Sequence, residues 1–237
     1  MKAVLLRLIL TLPFVCSTAY AHDYRIEREG NQYALYQGHL YSTHKGEPNV
    51  AYDPAIVKAA YCAAGNGALT ELPRSNIYPL RLDGSCTALF VQSSSGYWSQ
   101  TLTETVNKPR TEVRGALRGW LSEESIKYLA DWAPGFAGPM TQRLELVPLE
   151  NPLTLEPGDK IRMVALYQGK PQAGVVFAYD GEARGVTGDD GKLNVRVRHG
   201  GMQVVSASLE QPVQGDPNAD KVLRGTIFQF PLKSGSN

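Results

Sequence analysis

Two short apolar segments with a glycine-containing polar turn between them occupy residues 161–179, IRMVALYQGKPQAGVVFAY. Their length and the turn that separates them predict two β-strands. Similar segments lie on both sides, at residues 144–147, 192–198 and 202–208, again with turn residues between them. Short strands at regular spacing predict an immunoglobulin-like β-sandwich, which we assign to residues 142–237.

The chain upstream of this unit, residues 22–141, is also predicted to be rich in β-structure. Residues 24–26 and 32–36 alternate in polarity on either side of Gly30-Asn31, a pattern typical of a β-hairpin. Further strands are predicted at residues 69–72, 78–82, 88–92 and 97–104, with a turn at residues 93–96. We therefore expect an all-β protein with two β-rich domains, 22–141 and 142–237.

One segment predicts a helix, which would add a minor α component. Ser122 can cap a helix that begins with Glu123 and Glu124, because two acidic residues suit the positive end of the helix dipole. Apolar side chains at positions 126, 129 and 132 would share one face, and Pro134-Gly135 would end the helix.

Residues 1–21 have the features of a secretory signal peptide. Lys2 and Arg7 precede an apolar run at residues 8–15, and Ala19-Tyr20-Ala21 forms an A-x-A cleavage site. Cleavage would leave 216 residues beginning at His22, and loss of the two bases changes the formal net charge from +1 to −1. This charge gives no sign of a nucleic-acid partner, and no second apolar stretch is long enough for stable membrane insertion. We expect a periplasmic protein.

The cysteine content predicts one disulfide. Cys16 lies in the signal peptide, so Cys62 and Cys86 would remain after export. An even pair of cysteines in an oxidising compartment usually forms a disulfide. The alternative, a thiolate metal site, would need both sulfurs to stay reduced.

A histidine at the start of the mature chain points to metal binding. The free α-amine of His22 and its imidazole Nδ1 can close a chelate ring on one metal ion. His39, His44 and Glu47 follow within one polar segment and complete a candidate ligand set suited to Ni, Co or Cu. The alternative is that His39 and His44 are exposed loop histidines.

Other chemistry-bearing residues favour structural roles. His199 precedes Gly200-Gly201 at an expected strand end, and residues 188–191, Gly-Asp-Asp-Gly, match a hairpin turn better than a calcium loop. Arg25 and Arg28 put positive charge close in sequence to His22. The chain has no nucleophile elbow, phosphate-binding glycine loop or His-Glu-x-x-His motif, so we expect a binding protein and not an enzyme.

The sequence resembles a family of exported bacterial proteins that are described as periplasmic components of cobalt or nickel uptake systems, many of which carry a domain of unknown function. The resemblance covers most of the mature chain. Its motifs are the Ala-His-Asp-Tyr start at residues 21–24, Gly38-His39, residues 52–54, 146–152, 158–159 and 169–171, the turn at 187–191 and the strand at 226–230. It implies a β-sandwich protein that works next to a membrane transporter for nickel or cobalt.

These observations favour a periplasmic accessory protein that captures a divalent transition metal or delivers it to an uptake system. Two other functions stay open. One is a copper oxidase built on an N-terminal histidine brace. The other is a carbohydrate- or protein-binding sandwich in which Tyr97, Trp98 and Trp120 form a surface platform.

Overall fold

The computed structural model describes residues 23–38, 49–83 and 86–233, and these residues fold almost entirely into β-strands. Within these ranges the helical structure consists of short 3-10 turns and includes no α-helix. The turns lie at Pro54–Ile56, Arg110–Glu112, Pro134–Ala137 and Pro152–Thr154. The predicted all-β class is therefore confirmed, and the helix expected from residue 122 does not form in these ranges.

A nine-stranded sheet runs through the middle of the molecule. Its strands are β3 (Val57–Ala63), β4 (Leu69–Glu71), β6 (Ala88–Gln100), β7 (Thr105–Val106), β8 (Arg118–Leu129), β12 (Val176–Tyr179), β13 (Glu182–Val186), β15 (Gly201–Pro212) and β16 (Lys221–Leu232). They are ordered β13-β12-β15-β16-β8-β6-β3-β4, and β7 pairs with β6. All neighbours are antiparallel except β8 and β16, which are parallel.

Two smaller sheets accompany it among the described residues. A three-stranded sheet contains β1 (Asp23–Glu29), β2 (Gln32–Gly38) and β5 (Leu80–Asp83), in the order β1-β2-β5. A four-stranded sheet contains β9 (Glu145–Pro148), β10 (Lys160–Tyr167), β11 (Lys170–Pro171) and β14 (Lys192–Arg196), with β10 in its centre. The predicted N-terminal hairpin is confirmed by β1 and β2.

The smaller sheets cover opposite faces of the central sheet. Side chains alternate between the two faces of a strand, and neighbouring residues accordingly belong to different apolar cores. Tyr128 and Ile227 pack with the three-stranded sheet, whereas Leu129 and Phe228 pack with the four-stranded sheet. The molecule is thus a three-layered β-structure, with one β-sandwich on each side of the central sheet.

The segment that was expected to form a helix at residue 122 is strand β8. Strand alternation turns Ile126 and Leu129 to opposite faces, and each enters one of the two cores. Their spacing of three fits one face of a helix, but here it reflects a strand that is buried on both sides. The helix prediction is wrong for this reason.

The turn expected at residues 93–96 is also absent, because β6 continues through it. The pairing of β6 with β8 shifts register between Ser93 and Gly96, which marks a bulge. Gly96 has φ of +79°, a conformation that glycine adopts without strain. The turn predicted at residues 188–191 is confirmed, with Gly191 N–H donating to Gly188 O at 2.9 Å.

The central sheet continues across the expected domain boundary at residue 142. Strand β8 belongs to the N-terminal part of the chain and β16 to the C-terminal part, and they pair along nine residues, from Lys221 with Trp120 to Gln229 with Tyr128. The division of the chain into two domains stays a prediction, and the sheet itself belongs to both segments.

A buried ion pair links the central sheet to the four-stranded sheet. Lys127 Nζ lies 2.6 Å from Glu145 Oε1, and the two side chains are 2% and 1% exposed. The second carboxylate oxygen, Oε2, accepts hydrogen bonds from the backbone N–H of Met140 and Thr141 and from the Thr141 hydroxyl. Both oxygens of the buried carboxylate are thereby satisfied.

Candidate functional site

The predicted metal ligands His22, His39, His44 and Glu47 lie outside the described residues. The structure does describe the residues that flank them on the chain. These are Asp23, which follows His22, and Gly38 and Asn49, which bound residues 39–48.

The flanking residues meet at one end of the N-terminal hairpin. Asp23 is the register partner of Gly38 in the β1–β2 ladder. The returning chain joins the same end, because Val50 N–H donates to Gln37 O at 2.7 Å. Asn49 in turn accepts a hydrogen bond from the Arg25 guanidinium. The chain therefore leaves and re-enters the described structure beside the start of β1.

The two arginines near the start of the mature chain are in different situations. Arg25 is 7% exposed and is paired with Glu27, at 2.7 Å between Nε and Oε1. Its guanidinium also stacks over the Tyr36 ring, 5.3 Å from the centroid. Arg28 lies at the other end of β1, where Nε donates to Gly30 O at 3.3 Å. The charge of Arg25, two positions after Asp23 in the sequence, is thus compensated by Glu27.

Tyrosines form the apolar layer beneath this end of the hairpin. Tyr24 and Tyr78 make edge contacts with Tyr52, with ring centroids 5.7 and 5.1 Å away. Burial raises the pKa of Tyr24 well above its ordinary value, and the nearby charge of Glu124 on β8 adds to the rise. Burial also raises the pKa of Tyr52. The Tyr24 and Tyr52 hydroxyls therefore stay neutral at physiological pH.

His199 is held in a local structural arrangement. Its Nε2 lies 2.9 Å from Asp180 Oδ2, and its Nδ1 lies 2.7 Å from Gly200 O. The ring stacks on Tyr179, with centroids 6.2 Å apart. Burial lowers the pKa of His199, but its contacts with Gly200 and Asp180 outweigh burial and raise it. These contacts agree with a structural role.

The described part of the chain contains no cluster of three or more His, Cys, Asp or Glu side chains that could share a metal ion.

A cleft of about 590 Å³ opens beside the turn at Pro54–Ile56, and Lys58, Glu71 and Arg74 contribute to its wall. Lys58 donates to Ala55 O and Arg74 to Val57 O, so both cations bond to the backbone of that wall. Sequence reasoning did not single out these residues, since no motif connects them.

The aromatic residues considered as a binding platform divide between two faces. Trp98 on β6 and Trp120 on β8 are direct cross-strand partners, and their rings stack at 6.5 Å with an angle of 11°. Strand alternation turns Tyr97 to the other face, where its hydroxyl bonds to Asp216 Oδ2 at 3.0 Å. The expectation of one platform that includes Tyr97 is wrong.

The predicted disulfide joins Cys62 to Cys86. Their Cα atoms are 5.4 Å apart, and 24 positions separate them in the sequence. The bridge connects β3 of the central sheet to the segment that enters β6, and the chain between them includes β5 of the three-stranded sheet.

No helix among the described residues has the length and apolar character to cross a bilayer.

Comparison with known proteins identifies a family for most of the chain. Residues 19–211 match the family described as "Domain of unknown function (DUF4198)". No curated protein matches. One similar solved structure is titled "Structures of Clostridium thermocellum CbhA fibronectin(III)-like modules"; it has 10% sequence identity and a TM-score of 0.25, and the match covers 91% of this chain and 99% of that one. The chain thus belongs to the family of this domain of unknown function.

Proposed function

We propose that this protein is a periplasmic metal-binding accessory that captures Ni²⁺ or Co²⁺ and passes it to a membrane uptake system. His22 would chelate the ion through its α-amine and imidazole. His39 and His44 would add nitrogen ligands, and Glu47 an oxygen. The resemblance to cobalt and nickel uptake components motivates the choice of ion and partner.

The convergence of the chain at the end of the hairpin carries this proposal. His22 is bonded to Asp23, and the segment with the other three candidate ligands begins after Gly38 and ends before Asn49. Asp23 pairs with Gly38, and Asn49 binds Arg25 two residues further along β1. The described residues that flank the candidate ligands therefore lie at one end of the hairpin, although the candidates are separated by up to 25 positions in the sequence.

The arginine that lies nearest to His22 in the sequence has a partner of opposite charge. The charge of Arg25 is offset by Glu27. The carboxylate of Glu124, on β8, contributes to the raised pKa of Tyr24 at the start of β1.

The disulfide supports the part of the proposal that concerns export. Disulfides persist in oxidising compartments such as the periplasm. A periplasmic location also suits cleavage after Ala21, which is the step that would create the α-amine of His22.

Metal titration of two forms of the protein tests the proposal. One form begins at His22, as verified by intact mass after export, and the other keeps one methionine before His22. We expect the mature form to bind one Ni²⁺ or Co²⁺, and Cu²⁺ more tightly. The extension should weaken binding sharply, because it converts the α-amine into a peptide nitrogen. His39→Ala and His44→Ala should each weaken binding by less, since each removes one ligand atom.

His199→Ala serves as the matched control, because this imidazole is engaged with Asp180 and Gly200. It should leave the metal affinity unchanged. Equal affinities of the mature and the extended protein in calorimetry would show that the terminal histidine is not a ligand, and the proposal would be wrong.

A further inference from the structure

We propose that the central sheet carries a second binding site, for a neutral saccharide, centred on Trp98 and Trp120. This site is independent of the metal proposal. We call it the tryptophan face, and it consists of Trp98, Gln100, Arg118, Trp120, Glu210 and Lys221.

The two indole rings stand in one row across the sheet. Trp98 is paired with Trp120, and Trp120 is paired with Lys221 on the next strand. Because neighbouring strands lie about 4.8 Å apart, the row extends over about 10 Å. The indole N–H of Trp98 donates to Ser95 Oγ at 2.9 Å, which fixes the orientation of its ring.

The tryptophan face lies beyond the cores that cover the sheet. Alternation along β8 puts Trp120 on the same side as Ile126 and Tyr128, which pack with the three-stranded sheet. Six residues separate Trp120 from Ile126, which is about 20 Å along a strand. Among the described residues, the two apolar cores include neither Trp98 nor Trp120.

Polar side chains on the same face border the rings on two sides. On one side, Arg118 is the register partner of Gln100 and donates from Nε to Gln100 Oε1 at 2.5 Å. On the other side, Lys221 donates from Nζ to Glu210 Oε2 at 2.6 Å. These bonds hold the side chains in place and leave further guanidinium protons and carboxylate lone pairs for a ligand.

This composition fits a saccharide better than the other ligand classes. Aromatic rings accept the C–H face of a sugar ring, and the fixed polar groups can bond its hydroxyls. The ion pair between Lys221 and Glu210 is neutral as a unit, and Arg118 is the one remaining charge of the tryptophan face. A nucleic-acid strand would call for a groove of positive charge, and a purely apolar partner would leave the polar groups unpaired.

The test is a titration of the full mature protein with neutral hexasaccharides in buffer containing EDTA. The probes are cellohexaose, xylohexaose, maltohexaose and chitohexaose, and binding is followed by tryptophan fluorescence and calorimetry. We expect one site for at least one probe. Trp98→Ala and Trp120→Ala should each weaken binding tenfold or more, since each removes a stacking surface.

Trp132→Phe is the matched control, because Trp132 packs against Phe136 at the other core, with centroids 6.4 Å apart. This variant should bind as the wild type does. Gln100→Ala removes a rim contact without opening the aromatic pair, and it should weaken binding several-fold even if a tryptophan variant fails to fold. Absence of binding to all four probes would overturn the proposal. So would undiminished binding by folded Trp98→Ala and Trp120→Ala.

Discussion

At the scale of single residues, the Lys127–Glu145 ion pair has the clearest energetic consequence. Replacing Lys127 by Met leaves a buried carboxylate without its cation, and replacing Glu145 by Gln leaves a buried ammonium without its anion. Loss of one partner of a buried pair typically costs about 3–5 kcal/mol. We therefore expect either variant to lower the free energy of unfolding by about that amount, as measured by urea denaturation.

An exposed ion pair provides the control for this experiment. Arg162 and Glu150 make a two-pronged contact at 2.9 and 2.7 Å, but their side chains are 61% and 37% exposed. Solvent screens such pairs, so Arg162→Ala should leave the urea midpoint near that of the wild type. The double variant Lys127→Met/Glu145→Gln should recover much of the stability, because it removes both charges and keeps an amide oxygen that can accept from Met140 and Thr141. Wild-type-like midpoints for both buried single variants would contradict the prediction.

At the scale of elements, the sequence pattern identifies a strand that has one buried and one exposed face. The pattern fails where a strand is buried on both faces. Gly30, with φ of +62°, ends β1 in a tight turn, so the hairpin could be read directly. Strand β8 has the polar segment Ser122-Glu123-Glu124 before residues that enter two different cores. Its pattern depends on layers formed by distant parts of the chain, and local periodicity cannot reveal them.

The disulfide between β3 and the segment before β6 follows from the number of cysteines and the expected export of the protein. Replacing both Cys62 and Cys86 by Ser should lower the free energy of unfolding by about 3 kcal/mol, because the bridge restricts a loop of about 25 residues in the unfolded chain. Urea denaturation without reductant measures the difference. Dithiothreitol should destabilise the wild type and leave the double variant unchanged. Equal midpoints for wild type and double variant would mean that the bridge does not stabilise the fold.

At the scale of the whole molecule, the sequence indicates which residue types could bind a metal ion, and the fold determines which parts of the chain lie close together. Residue type alone indicates the ligand candidates, through the expected cleavage before His22 and the two histidines that follow. The described residues that flank these candidates meet at one end of the hairpin through long-range contacts, such as the bond from Val50 N–H to Gln37 O. The stacking of Trp98 on Trp120 likewise follows from the pairing of β6 with β8. Sequence spacing alone does not determine that register.

The same long-range pairing predicts that residues 22–141 and 142–237 do not fold independently. The second fragment would lose β8, the parallel neighbour of β16. It would also lose Leu129, which packs with Phe228 in the core beneath the four-stranded sheet, so part of that core would be exposed to water. The first fragment would lose the side of the central sheet beyond β8, and Lys127 would lose Glu145.

We expect each fragment alone to show poorly dispersed amide signals in NMR spectra and no sigmoidal urea transition. An equimolar mixture, in contrast, should regain β-sheet circular dichroism by pairing β8 with β16. The intact mature chain is the control, and it should unfold in one transition because one sheet connects both segments. A sharp, cooperative transition of the 142–237 fragment by itself would contradict this prediction and would establish the C-terminal sandwich as an autonomous domain.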